Sequence, residues 1–386
     1  MIRAEPARMT DWAARSIGAA WRAFDLQLVA YAGLLAILGL VMAYTNSVEQ
    51  GATLLNPSTT FVRGLMWTGI ALIAFVVTTA FDYKWLKTFA WPLYVIQLGL
   101  LVGTLAIGHG VGGSSRWVAI GPFDFQFSEL AKILMIVVLS NYLGARQGRL
   151  TSLPSILGAC VLVGPPWLLV MLQPDLGTSL VMLAILGGML WMSGARLFWL
   201  ALIAAAAVGL IVAAWNIPGI LHDYQRARIL AFLNPAFDTQ GAGYQVSQAQ
   251  IAVGSGGWTG AGLTNGSQNQ LNLLPVADSD FVAAVYLEEL GFIGAMVLLI
   301  LFAALLWRLL VSGWRSKDPF GTMFASGLAT MILFQLFVNL GMVIGIMPIT
   351  GIPLPFISHG GASLISLAVG LGIVQSINIR QTRAEW

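Results

Sequence analysis

Ten runs of about 20 mainly apolar residues, each long enough to cross a bilayer as a helix, dominate this chain. They are Leu26–Tyr44, Val62–Ala80, Trp85–Ile107, Ser128–Leu143, Leu153–Leu172, Leu176–Met192, Leu197–Trp215, Phe281–Trp307, Gly321–Ile346 and Pro355–Asn378. Of the 386 residues, 58% are apolar and 9% are charged, whereas a soluble domain carries about 25% charged residues. That deficit excludes an ordinary cytosolic enzyme. The single cysteine, Cys160, excludes a disulfide framework within one chain and a cysteine-based zinc cluster. The pattern predicts an all-α polytopic membrane protein. Ten transmembrane helices are expected, with a long extracytoplasmic loop between the seventh and the eighth.

An even number of spans puts both termini on one side, and the positive-inside rule chooses it. With the termini inside, the inner face collects Arg3, Arg8, Arg15, Arg22, Lys84, Lys87, Arg146, Arg149, Arg196, Arg308, Arg315, Lys317, Arg380 and Arg383, fourteen of the 19 basic residues. Arg63, Arg116, Arg226 and Arg228 remain outside, and Lys132 falls within a span. No cleavable signal peptide is apparent. Residues 1–25 are expected to form a cytoplasmic amphipathic segment: Ala13, Ile17, Ala20, Trp21 and Phe24 share one helical face, and Arg8, Asp11, Arg15 and Arg22 the other. The membrane domain runs over 26–380, and a short cytoplasmic tail over 381–386.

Two outer loops carry most of the polar content. His109–Phe127 is Gly-rich and contains the pair Arg116-Trp117. Asn216–Asp280 is far longer than an ordinary connection. Its Tyr224, Phe232, Tyr244 and Trp258 predict short helices and turns folded back on the bundle.

Ionisable groups inside a membrane are costly and mark function by default. In "SELAKILM", Glu129 and Lys132 are three residues apart, on one helix face. They are either a self-neutralising pair or a cation turned toward an anionic substrate. In "QPDLGTS", Asp175 precedes a helix and reads as an N-cap that can also face a cavity. Glu288 and Glu289 point about 100° apart, which favours a structural role. In "LLPVADSDFVAAVYLEELG", Asp278 and Asp280 stand at the outer mouth of the eighth span.

Residue type and side together suggest a reaction. An outward site has no access to cytoplasmic nucleotides, so a donor must arrive already activated, and a membrane-borne diphosphate suits. Arg116, Arg226, Arg228 and Lys132 could meet its negative charge. A carboxylate such as Asp280 could take the proton of an attacking hydroxyl. His109, His222 and His359 lack metal-ligand spacing, and the scattered basic residues give no support for nucleic-acid binding.

The stretches "QPDLGTS" (173–179), "HDYQRARILAFLNP" (222–235), "GAGYQVSQAQIAVGSGG" (241–257), "LP...DSDF" (274–281), "EELG" (288–291) and "GIPLPFISHGG" (351–361) together resemble the SEDS family, in the same order from about residue 26 to 380. The motifs look closer to its elongation branch than to its division branch. The resemblance implies a peptidoglycan glycosyltransferase of the bacterial cytoplasmic membrane, serving wall elongation and cell shape. Its substrate would be lipid II, a disaccharide-pentapeptide on undecaprenyl diphosphate. Its partner would be a class B penicillin-binding protein. The family's essential Asp corresponds to Asp280, implied as the base for the acceptor hydroxyl. Arg116 and Trp117, Glu129 and Lys132, and Asp175 match further family motifs and would line the cavity.

The chain departs from the family where Pro-Glu-x-His-Thr-Asp-Phe is usual: it reads Pro275-Val276-Ala277-Asp278-Ser279-Asp280-Phe281. The extra Asp278 suggests a second ligand for a divalent cation, Mg2+ or Mn2+, at the diphosphate. Two rival functions fit the same architecture. A lipid II flippase needs a polar path to the inner leaflet. A scaffold for wall synthesis would tolerate replacement of Asp280.

Overall fold

The computed structural model of the protein describes residues 23–49, 59–110, 116–121, 123–146, 153–217, 223–234, 241–271, 273–274 and 279–381. The expected amphipathic segment, the tail beyond 381 and Asp278 lie outside the described residues. The helices are α1 Leu26–Glu49, α2 Thr60–Ala80, α3 Tyr83–Thr88, α4 Ala90–Ile107, α5 Phe127–Gly144, α6 Leu153–Leu172, α7 Leu176–Met192, α8 Leu197–Asn216, α9 Asp223–Leu233, α10 Ala242–Ser255, α11 Ser267–Gln270, α12 Val282–Arg315, α13 Pro319–Val343 and α14 Gly361–Gln381. Strands β1 Val118–Ile120 and β2 Phe123–Phe125 pair antiparallel, Ala119 opposite Asp124.

Among the described residues, eight helices are long and apolar enough to cross a membrane, and α7 and the Leu197–Ala206 part of α8 are apolar but shorter. Peripheral α2 buries a single residue, Ala71, and exposes Leu65, Leu72, Ile73, Val76 and Val77. Such a surface suits hydrocarbon. The centre is α13, which packs against α12, α7 and α5 and buries most of its length, from Phe320 to Val343.

Three spans differ most from the sequence reading. The expected third span divides into α3 and α4 at Phe89, whose φ of −95° and ψ of 20° leave the helical region. The last span begins at Gly361 rather than Pro355, because residues 351–360 form turns with Phe356 at φ 66°. The eighth span is a 34-residue helix interrupted at Gly291, where φ is 62° and ψ −159°. That backbone is open to glycine and strained for other residues.

The interruption removes the two helical bonds that Phe292 and Ile293 would donate to Glu288 and Glu289. All four groups find partners in the long loop. Phe292 N–H donates to the Gly257 carbonyl at 2.9 Å and Ile293 N–H to Trp258 at 3.1 Å. The Glu288 carbonyl accepts from Ala261 at 2.9 Å and that of Glu289 from Gly262 at 3.0 Å. An unpaired backbone group in apolar surroundings is costly, so break and loop require each other. The two glutamates tie the same loop down with their side chains. Glu288 Oε1 accepts from Ser267 Oγ and Gln268 N, both at 3.0 Å, and Glu289 Oε1 from Thr264 N at 3.3 Å. This agrees with the structural reading of the pair.

At the opposite end, ion pairs join the elements. Arg308 of α12 holds Asp25 at 2.6 Å, Lys87 of α3 holds Asp318 at 3.2 Å, and Arg380 of α14 lies 3.6 Å from Asp82.

Candidate active site

Asp280 sits in the turn before Phe281, the N-cap of α12, at a helix end that favours negative charge. Its neighbour Ser279 donates from Oγ to Asp280 Oδ1 at 3.2 Å. The main chain here is held from two sides. Asn339 Nδ2 of α13 donates to the Asp280 carbonyl at 3.1 Å and to the Ile352 carbonyl at 2.8 Å. Ser358 Oγ donates to the Ser279 carbonyl at 2.6 Å and accepts from Leu354 N. The 351–360 segment is thereby fastened against the turn that bears the carboxylate.

Gly351 of that segment has φ 72°. A Cβ placed there would stand 3.5 Å from both Arg228 Nη1 and Asp280 Oδ2, with no other heavy atom within 4 Å. The glycine thus faces a guanidinium and a carboxylate at once. Arg228 comes from α9, in the middle of the long loop. Arg226 lies two residues earlier on α9, about 200° around the helix, and faces elsewhere. Its Nη2 donates to the carbonyls of Trp215 and Ile217 at the end of α8, at 3.3 and 3.5 Å. Of the two expected arginines, the structure brings Arg228 to Asp280.

A second group of expected residues lies beside the first. Asp175 caps α7 by accepting from Thr178 N at 3.1 Å, and its Oδ2 accepts from Gln126 Nε2 at 2.8 Å and Ser128 Oγ at 3.3 Å. Arg116 donates to the carbonyls of Gln173 and Pro174 just past the end of α6. Lys132 and Glu129, both buried, pair at 2.8 Å, one turn into α5 from Ser128. Trp117 exchanges backbone bonds with His109, at 2.8 and 3.0 Å, which fixes the strand leading into β1. Asp175 and Arg116 act on Asp280 through the electrostatic field.

Burial pushes the Asp280 carboxyl above the usual carboxylate range. Arg228 opposes this most, followed by the Ser279 hydrogen bond and Arg116, while Asp175 adds to the rise. Among the described residues, no three His, Cys, Asp or Glu side chains group as a metal site would require. Asp280 is instead offset by guanidinium groups, a poor setting for a cation cage; Asp278 lies outside the described residues.

The sequence alone assigns no role to Asn339, Ser358 or Gly351. Asn339 did carry a signal, as an uncharged polar residue inside an apolar run. Gly351 and Ser358 stand in "GIPLPFISHGG", yet nothing in that string tells which chain segment it meets.

A family model described as "Cell cycle protein", covering FtsW, RodA and SpoVE, matches residues 25–383. The chain is 37% identical over 362 residues to stage V sporulation protein E of Bacillus subtilis, covering 92% of this chain and 96% of that one. It is 41% identical over 315 residues to peptidoglycan glycosyltransferase MrdB of Escherichia coli K12, covering 80% and 83%. One solved neighbour is a chain of a peptidoglycan synthase complex that coordinates polymerization and crosslinking, with a TM-score of 0.76, 30% identity, and coverage of 93% and 98%. Another is the rod shape determining protein RodA of Thermus thermophilus, with a TM-score of 0.67, 28% identity, and coverage of 94% and 98%. The chain belongs to the FtsW, RodA and SpoVE family of cell cycle proteins, the SEDS family.

Proposed function

We propose that this chain is a peptidoglycan glycosyltransferase that polymerises lipid II at the outer face of the cytoplasmic membrane, with Asp280 as general base. One observation carries the reading: the Asp280 carboxylate and the Arg228 guanidinium both stand against Gly351, a base and a cation side by side. An acceptor hydroxyl brought against Asp280 would give its proton to the carboxylate. Its oxygen would bond to the anomeric carbon of the donor sugar as the bond from that carbon to the diphosphate breaks. The leaving diphosphate takes the bonding pair, and Arg228 and Arg116 meet its charge. A carboxyl raised by burial is a stronger base than a solvated one, which suits the task.

Relatives named peptidoglycan glycosyltransferase support this activity. Likeness to a rod shape determining protein supports a role in elongation. Likeness to a chain of a synthase complex that coordinates crosslinking supports a class B penicillin-binding protein as partner. Ten spans with both termini inside, and residues 216–280 outside, complete the proposal; the ion pairs of Arg308, Lys87 and Arg380 at one end of the bundle support that orientation. A Mg2+ or Mn2+ ion shared by Asp278 and the diphosphate is a separate proposal. Equal activity in chelator and in magnesium would remove it.

The test is incubation of the purified chain, alone and with its penicillin-binding partner, with lipid II, and resolution of the products. Long glycan strands are expected with the partner present. Lipid II crossing a vesicle membrane unpolymerised would favour transport instead.

A further inference from the structure

We propose that Asn339 is a positioning residue for Asp280: its amide fixes the carboxylate opposite Arg228 by joining the Asp280 main chain to the segment bearing Gly351. This rests on the reading of Asp280 as the base. Asn339 is fully buried near the end of α13, the helix at the centre of the bundle. Both protons of Nδ2 are used, one on the Asp280 carbonyl at 3.1 Å and one on the Ile352 carbonyl at 2.8 Å. Both partners are acceptors, so the amide orientation is determined by its surroundings. Oδ1 is buried with no hydrogen-bond partner among the described residues.

The amide is buried with its acceptor unpartnered, a costly arrangement, while both of its donors are spent on main-chain carbonyls outside α13. What the amide adds is a link between two loops that share no backbone bond among those described. One loop carries the carboxylate; the other carries Gly351, which stands against both Asp280 Oδ2 and Arg228 Nη1. Ser358 makes a parallel link one residue away, to the Ser279 carbonyl. Ser358 holds the turn to the far end of the segment, whereas Asn339 holds it to the residue next to Gly351. Loss of the Asn339 link frees the Asp280 peptide to move relative to the guanidinium.

The charged groups that face Asp280 are Arg228 on α9, Arg116 before β1 and Asp175 at the start of α7. The packed α13 and 351–360 segments contribute the neutral Asn339 and Ser358, and His359 faces Gly64 of α2. On α12 itself, Glu288 and Glu289 bind the 264–268 stretch. Arg228 is therefore the main influence that a displaced carboxylate would lose. Its protonation would then occur at higher pH, because burial would be opposed less.

The experiment measures lipid II polymerisation by the complex with its partner across pH, for wild type, Asn339→Ala, Asn339→Ser and Asp280→Asn. Asn339→Ala is expected to lower kcat by about 10²-fold, the size of a misplaced reacting group, with little change in KM. Its acidic limb should move to higher pH. Asn339→Ser keeps one donor and should fall between, and it reads the effect if the alanine variant does not fold. A uniform loss of activity at every pH, with an unmoved limb, would overturn the positioning role and leave only packing. Wild-type rates in both Asn339 variants would overturn it too. If Asp280→Asn polymerises like wild type, the base reading itself fails. If Asp280→Asn is inactive while the Asn339 limb stays in place, only the positioning role fails.

Discussion

Asp280 and Arg228 are opposite charges in partly apolar surroundings, and Arg228 offsets part of the cost of burying the carboxylate. Arg226, on the same helix, caps the end of α8 instead. Arg228→Ala is therefore expected to reduce polymerisation by about 10²-fold or more, and Arg226→Ala to leave it within about threefold, because its contacts are local backbone caps of small energy. Product analysis on both variants checks this; equal losses would contradict the assignment. A second consequence concerns stability. Burial raises the folded-state Asp280 carboxyl above its unfolded value of about 3.9. The stabilisation linked to it is complete below the unfolded value and is lost as pH rises through the raised folded one. The ionised carboxylate thus lowers stability at neutral pH. Asp280→Asn should unfold at a higher temperature than wild type at pH 7, with the gap closing as pH falls toward about 4. Thermal unfolding in detergent reads this directly.

Among the elements, α12 differs most from a simple span. Glu288 and Glu289 interrupt its apolar run, but nothing in its helical periodicity marks Gly291 as a break. The break depends on the 256–262 stretch, which supplies four backbone partners from a distant part of the sequence. Glycine at 260 is needed where the two meet: its φ is 79°, and a side chain would run into the Glu289 carbonyl. Gly260→Ala should destabilise the protein by about 1–3 kcal/mol. Proteolysis within the long loop should quicken with it, and an unchanged cleavage rate would count against the coupling. The helix Val282–Leu290 that follows Asp280 would lose its anchor, so activity should fall as well.

For the molecule as a whole, much of the architecture is legible in the amino-acid sequence. Apolar runs of bilayer length need no tertiary information, because in a membrane each helix satisfies its own backbone. Asp280, Arg116 and Asp175 are legible for a related reason: a charge beside an apolar run stands out. Gly351 and Asn339 are not, since a glycine and a neutral amide carry weak signals, and their meaning lies in contacts across 59 and 13 residues of sequence for the two Asn339 bonds. Nor can spacing choose between Arg226 and Arg228, which requires the direction of α9. Distant parts of the chain thus meet at one carboxylate, and the proposed function turns on whether Asp280 removes the acceptor proton. Glycan synthesis from lipid II by Asp280→Asn in complex with its partner, beside wild type, decides that. If Asp280 is the base, the variant binds substrate and makes no strands. Strands of wild-type length and amount would contradict the assignment.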